Sequence, residues 1–420
     1  MEGPLREGWQ DVHAKSLDCV HCGLCLSSCP TYRETGRERS SPRGRIYLMR
    51  GVAEGRIPLA ETTADEAFLC LGCRACETAC PSGVQYGQML EEVRHQVDRA
   101  GLRPRVPRTL ERLALRQLVA KPRRLRAAFD LLGAAQRLRL DRLLARLPGR
   151  LGEAGALLPP VPPRSARASL PERTPARGTR RGRVAFLAGC VMRELFADVN
   201  RATVEVLAAN GFEVLVPREQ GCCGALHAHA GDIDAARRLA RTNLRAFGAH
   251  PVDALVTNSA GCGAAMRDAE HWLGEEGRGL ATSVRDVCEF LDAVGPVAPL
   301  APIEARLCYD DPCHLVHGQR VADAPRRLLA KIPSLELVAH DDPAGCCGAA
   351  GTYNLTHPEM SRAVLERKLA SLAAADPDLV ATGNPGCLMQ IRGGAARAGL
   401  RAEVLHPVEL LARSQRLAHS

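Results

Sequence analysis

Eighteen cysteines lie in a chain of 420 residues, and sixteen of them fall into four sets with regular spacing. Thiols in that number can form disulfides, stay buried as small apolar residues, or bind metal as thiolates. The chain is long enough to bury cores without disulfide staples, and its composition, 46% hydrophobic and 25% charged, is that of an ordinary globular protein. No apolar run reaches the roughly 18 residues that span a bilayer, and the first residues lack a basic stretch followed by an apolar one. The expected compartment is therefore the reducing cytoplasm, where disulfide frameworks are disfavoured and metal ligation becomes the leading use of the thiols.

Two sets share one pattern. "CVHCGLCLSSCP" places Cys19, Cys22, Cys25 and Cys29 before Pro30, and "CLGCRACETACP" places Cys70, Cys73, Cys76 and Cys80 before Pro81. This is similar to the bacterial ferredoxin run, in which three close thiolates hold one [4Fe-4S] cluster and the fourth cysteine reaches the other. Carried over, the resemblance implies Cys19, Cys22, Cys25 and Cys80 for one cluster and Cys70, Cys73, Cys76 and Cys29 for the second. The proline behind each fourth cysteine ends the local turn and sends the chain away from its own three. Structural zinc is the alternative for four thiolates, but zinc ribbons pair two CxxC knuckles and have no use for two runs of four.

The other two sets are a tandem repeat. Cys190, Cys222 with Cys223, and Cys262 are followed by Cys313, Cys346 with Cys347, and Cys387, each adjacent pair standing in "GCCGA". Thirty-one residues separate Cys190 from Cys222 and 32 separate Cys313 from Cys346; the later gaps are 38 and 39. A duplicated constellation of four thiols points to further Fe–S clusters, with zinc or a vicinal redox disulfide as alternatives. Cys288 and Cys308 stand alone and read as buried apolar residues. His227, His229, His314, His317 and His357 lie near these loops, and the sequence assigns them no role.

The elements that must position these thiols follow from periodicity. Between the ferredoxin runs, "PRGRIYLMRGVAEG" carries Ile46, Met49 and Val52 at helical spacing, predicting a helical ferredoxin-like domain over residues 1–100 rather than one of hairpins. Residues 101–156 form an Arg- and Leu-rich amphipathic segment, read as a helix pair packing on its own domain. A basic surface for an acidic partner or an anionic membrane face is the alternative. Residues 157–182 are a Pro- and Arg-rich linker, expected to be extended and partly mobile. Beyond it, 183–296 and 303–414 each read strand, helix, strand, CCG, helix, strand, cysteine. That order implies parallel α/β units whose loops gather at the carboxyl edge of a sheet. The expected class is thus α+β multidomain. Glycines 221, 224, 261, 345, 348 and 386 would let backbone amides approach a cluster closely. The net charge of +9 raises nucleic acid as a partner, but aromatics are only 3% and no groove motif of interleaved basic and aromatic residues appears.

Together the two ferredoxin runs, "PRGRIYL", "GCCGA" and "CCGAAGTYNLTHP" resemble the iron-sulfur subunit family of bacterial glycolate oxidase over nearly the whole chain. Lactate utilisation, anaerobic glycerol-3-phosphate dehydrogenase and heterodisulfide reductase subunits are related. The resemblance implies an electron-transfer subunit of a complex whose FAD-bearing subunits oxidise a 2-hydroxy acid, glycolate or D-lactate. Electrons would leave through this chain to an acceptor such as a quinone, with peripheral association on the inner face of the membrane. No GxGxxG follows a predicted strand, so hydride removal is expected on the partner. The fullest form of the repeat ends in CxxC; here Ala265 and Gln390 stand where a fifth thiol would be. A redox sensor would need an effector module, and a chain catalytic by itself would turn over a disulfide or small quinone when isolated.

Overall fold

Residues 5–140, 160–395 and 397–419 are described by the computed structural model. The two CCG halves have one strand order. In the first, β2 (Gly182–Leu187), β3 (Phe212–Leu215), β4 (Ala254–Thr257) and β5 (Val284–Asp286) run parallel in the order β3-β2-β4-β5. In the second, β6 (Ala305–Tyr309), β7 (Leu335–Val338), β8 (Leu379–Ala381) and β9 (Glu403–Leu405) repeat it as β7-β6-β8-β9. Periodicity gave three strands per repeat. The fourth is only three residues long and ends in a polar residue at one end or the other, too short to register as an apolar run.

β1 (Arg173–Thr174) adds antiparallel to the edge of the first sheet, against β3. The Pro- and Arg-rich stretch is therefore not a free tether over its described part. Arg167 is buried there, donating to Glu194 at 2.8 Å and also bonding Asp130 of the preceding helix. The end of the basic segment and the start of the linker, 141–159, fall outside the described residues.

The halves meet reciprocally. The first long helix of one, Ala197–Ala209, packs on the last of the other, Pro407–Leu417, while Val287–Val294 packs on Ala324–Leu329. Leucines and valines from both sheets, with Cys288 and Cys308, form one continuous core across this junction. Burying each such side chain contributes roughly 1.5–3 kcal/mol.

The N-terminal domain is helical throughout: α1 (Gln10–Ser16), α2 (Pro30–Thr35), α3 (Pro42–Ala53), α4 (Glu61–Leu69), α5 (Ala75–Thr78) and α6 (Tyr86–Arg99). Its core gathers Trp9, Ile46, Met49, Val52, Met89 and Val93. Pro42 opens α3 behind Ser41, whose hydroxyl accepts from the Gly44 amide at 3.0 Å. Gly44 cannot be larger, because a Cβ there would meet the Glu38 carbonyl oxygen at 2.0 Å. α7 (Arg105–Ala114), a π-helical turn at Leu115–Val119 and α8 (Pro122–Arg137) follow. Among the described residues no helix is long and apolar enough to cross a membrane.

Candidate iron–sulfur centres

In the N-terminal domain the loops carrying the two runs face one another across α3. Cys19, Cys22 and Cys25 line one small cavity together with Cys76 and Cys80 of the other run. Cys29 is buried and lies within electrostatic reach of Cys73 and Cys76, and of Cys25 in its own run. Thiols of the two runs thus lie together, with Cys76 at the first cavity and Cys29 close to members of both runs. Cys22 is exposed with Val20 and Leu24 bare beside it, whereas Cys29, Cys70 and Cys73 are buried. The first site opens to solvent and the second is enclosed.

Groups that the spacing of cysteines did not reveal sit between the two. α3 places Arg43 on the carbonyl of His21 at 3.2 Å and Arg50 on that of Cys19 at 3.3 Å. Arg45, 1% exposed, donates to the Glu66 carbonyl at 2.8 Å and to Thr31 Oγ1 at 3.0 Å. Burial works against its charge, but Cys70, Tyr86, Cys29 and Glu66 outweigh it and hold Arg45 protonated more firmly than usual. Tyr86 donates to Cys70 Sγ at 3.6 Å, and so does the Gly72 amide at 3.4 Å. The signal for Arg45 was present in "PRGRIYL", since an arginine on the buried face of a helix demands a buried anion.

In the repeats, all eight cysteines line one cavity of about 200 Å³ between the halves. Cys190 caps a short helix after β2, and Cys313 opens a π-helical turn after β6. Cys262 and Cys387 were expected in loops; each sits in the first turn of a helix, Ala260–Arg267 and Pro385–Ala395. β2 and β4, and likewise β6 and β8, flank the point where the strand order reverses, which is why their carboxyl ends converge. The glycine after each pair is obligatory. Gly224 has φ +92° and Gly348 φ +84°, and a Cβ at Gly348 would stand 2.5 Å from the Ser361 carbonyl oxygen.

The thiols cannot all ionise in this enclosure. Cys190 and Cys222 lie 3.6 Å apart, and Cys347 and Cys387 3.1 Å. Cys222 is held well below the usual thiol range by bonds from Cys190 and Cys223, and those two are pushed up in return. Bonds from Cys346 and Cys387 lower Cys347 in the same way, and Cys346 bonding lowers Cys313. Burial likewise drives Cys73 and Cys76 far up. A donor set of this kind needs added positive charge to become a set of thiolates, which ferric and ferrous ions of a cluster supply. Among the described residues no three His, Cys, Asp or Glu side chains close on one point as the ligands of a single metal ion would.

The remaining sequence candidates separate clearly. His229 and His314 line the chamber with rings 5.3 Å apart. His314 is raised by the Cys313 thiolate against its burial, and burial keeps His229 well below the usual imidazole range. His227 bonds the Leu115 carbonyl, His317 bonds Thr78 and the Ala344 carbonyl, and His357 stacks on Tyr353. Gln390 reaches the chamber and donates to Ser361, whereas Ala265 is buried behind it. Cys288 and Cys308 belong to the core and not to the chamber.

Such a molecule, a dicluster ferredoxin domain fused to a duplicated cysteine-rich α/β domain, is an iron–sulfur protein. The 4Fe-4S dicluster domain family matches residues 15–84, and the cysteine-rich CCG domain family matches 184–267 and again 308–392. The chain is 39% identical to the probable glycolate oxidase iron-sulfur subunit of Bacillus subtilis, over 94% of this chain and 93% of that one. It is 33% identical to the glycolate oxidase iron-sulfur subunit of Escherichia coli, over 97% and 96% of the two chains. Lactate utilization protein A of Geobacillus kaustophilus is 31% identical over 54% of this chain and 98% of its own length. This chain belongs to the glycolate oxidase iron-sulfur subunit family, and its relatives support an iron–sulfur electron-transfer subunit that works in a complex with other subunits.

Proposed function

We propose that the chain carries electrons from an FAD-bearing partner, on which a 2-hydroxy acid such as glycolate or D-lactate is oxidised, to an acceptor of the quinone class. In this reading Cys19, Cys22, Cys25 and Cys80 hold one [4Fe-4S] cluster and Cys70, Cys73, Cys76 and Cys29 a second. The two CCG sets hold further clusters. When bound, such clusters supply one-electron carriers that match a two-electron flavin to single-electron steps.

One observation carries the reading: Cys73 of the enclosed ferredoxin site packs with Cys313 and Cys346 of the second repeat, together with Leu71, Ala75 and Tyr353, in a single buried cluster. A thiol of the ferredoxin domain and two of the chamber therefore share one buried cluster. The protein's part is to exclude water at this contact and to place charge beside it. Arg45, Arg43 and Arg50 offset the negative thiolates, and Tyr353 fixes the junction by donating to the Leu69 carbonyl at 2.7 Å.

Iron and acid-labile sulfide on the anaerobically purified chain, with EPR, test the assignment. About eight irons would load only the ferredoxin pair. Iron above that, lost on Cys222→Ser or Cys346→Ser, is the expected result, and recovery of zinc in place of iron would overturn it. Reduction of the chain by a flavoprotein partner with its hydroxy acid, and no turnover by the chain alone, is expected in mixing experiments.

A further inference from the structure

At the carboxyl edge of the first sheet lies a second cavity, of about 380 Å³, which shares no described lining residue with the thiol chamber. Ala188 reaches it from the end of β2 and Val216 from the end of β3, and the first turn of the helix Ala197–Ala209 borders it. Three arginines line it: Arg123 from the first turn of α8, Arg193 from the short helix Val191–Leu195, and Arg218 from the loop after β3. Among the described residues no Asp or Glu does. Arg193 is the informative member, because it is part-buried yet makes no hydrogen bond or ion pair with any described residue. Its neighbour Glu194 is taken by Arg167 at 2.8 Å and by Arg126 at 3.4 Å. Arg123 has no such partner either, and Arg218 has only the exposed Glu172 at 3.3 Å. A guanidinium drawn out of water without a counterion is costly, and an anionic ligand would relieve that cost.

The polar wall is fixed in advance by its own bonds. Asn200 donates to the Ala188 carbonyl at 2.9 Å and accepts from Asn258 at 2.9 Å, while Gln220 accepts from the Ala188 amide at 2.8 Å and donates to the Phe186 carbonyl at 3.1 Å. Each amide nitrogen has a second hydrogen that no described protein group takes. The helix Ala197–Ala209 has no side-chain cap, so the positive end of its dipole adds to the arginines on the same side. The scaffold itself does not demand these cations. Counted from the cysteines, repeat 2 has Val316 in the place of Arg193 and Asp342 in the place of Arg218.

We propose that this cavity binds a soluble phosphate monoester, a small organic molecule whose phosphate is met by Arg193, Arg123 and Arg218. Guanidinium groups suit oxyanions because they offer paired N–H donors in a plane. A carboxylate carries a single charge, whereas a phosphate monoester carries about two at neutral pH, the better match to three cations. The cavity is larger than a phosphate group needs, and Leu170, Val216 and Pro217 supply wall for an apolar portion. The inference goes beyond the electron-transfer reading and does not depend on it, because no thiol takes part in the site.

The test is isothermal titration calorimetry of the anaerobically purified full chain with inorganic phosphate, AMP and adenosine as probes. Saturable binding of phosphate and of AMP at one site, each displacing the other, is expected, with none of adenosine. Arg193→Gln should weaken both about tenfold or more, the effect of losing hydrogen bonds between charged groups, and Arg123→Gln with Arg218→Gln should do the same. Arg401→Gln removes one positive charge from an exposed position in repeat 2 and should leave the affinity unchanged. Arg123 and Arg218 are exposed, so iron content and visible absorbance of R123Q/R218Q should be those of the unaltered chain. That variant decides the question if Arg193→Gln folds poorly. No binding of phosphate or AMP, unaltered binding in a folded R193Q or in R123Q/R218Q, or an equal loss in R401Q would each overturn the proposal.

Discussion

The two CCG repeats share a strand order, a spacing of thiols and a left-handed glycine, yet differ in what surrounds the thiols. Three and two residues before the first cysteine, repeat 1 has Leu187 and Ala188 where repeat 2 has Asp310 and Asp311. Repeat 1 holds its loops with neutral amides: Asn243 accepts from the Gly221 amide at 2.8 Å and donates to the Cys222 carbonyl at 3.0 Å, and Asn200 donates to the Ala188 carbonyl at 2.9 Å. Repeat 2 uses charge. Lys368, fully buried, pairs with Asp310 at 2.7 Å and donates to the Pro343 carbonyl, while Arg326 clamps Asp311 with two bonds of 2.7 Å. Duplication preserved the scaffold, and the electrostatics diverged on it.

The repeats also meet the ferredoxin domain differently. Repeat 1 is joined by titratable and polar groups: Arg74 to Asp268 at 2.9 Å, Trp272 donating to Glu91 at 3.0 Å, and Arg94 donating to the His229 carbonyl at 3.1 Å. Repeat 2 is joined by polar groups as well, His317 to Thr78 at 2.9 Å and Arg33 to Asp342 at 3.6 Å, and adds the thiol-lined cluster around Cys73 and Tyr353. Under the proposed function, the thiol contact on that side leads us to expect a division in which repeat 2 receives electrons from the ferredoxin domain before repeat 1.

The largest effect expected from that division is kinetic. Cys346→Ser should stop rapid electron delivery from the flavin partner to either repeat, whereas Cys222→Ser should cost only the centre in repeat 1; stopped-flow absorbance with iron analysis distinguishes them. Equal loss from both would break the asymmetry. Next is Lys368→Met, which strands buried Asp310 and should destabilise the protein by about 3–5 kcal/mol, with much of the loss recovered in a Lys368→Met, Asp310→Leu double variant. Asn243→Ala, the equivalent disruption in repeat 1, should cost about 1–3 kcal/mol because no charge is stranded. Chemical denaturation measures both.

A third prediction concerns pH. Burial, and then Asp268, push the Glu91 carboxyl up to about 7. The native state thus keeps a proton that the unfolded chain has released at its ordinary carboxylate range, and this contribution to stability falls as pH rises from about 5 to about 7 and levels off above that. Glu91→Gln should flatten thermal stability over that interval, and an equally steep profile in the variant would remove Glu91 from the account. Smallest is Tyr353→Phe, which loses the bond to the Leu69 carbonyl and should cost about 1 kcal/mol while slowing transfer into repeat 2.

Much of this was legible in the residues. The dicluster domain and the repeat followed from cysteine spacing, and the α/β order from apolar runs such as "RVAFLAGC" and "DALVTNSAGC". What could not be read depends on distance in the sequence. That Cys190 and Cys387 line one chamber follows from the reciprocal helix packing of two halves, and no local pattern encodes it. Lys368 carries no local sign of its burial, because its partner Asp310 is 58 positions away. Leucines at helical spacing show that α7 has two sides, but Leu110 and Leu113 are exposed there because Arg108 and Arg112 turn in to buried Asp98 and Arg116 to buried Asp232.

The reciprocal packing of Ala197–Ala209 on Pro407–Leu417 and of Val287–Val294 on Ala324–Leu329 has the form of a homodimer contact, in which patch i meets patch j and j meets i. The chamber lies where such a dyad would pass. An ancestral single repeat would have owned half a chamber and needed a twin to close it. Fusion into one chain freed the halves from being identical, and Leu187 could part company with Asp310.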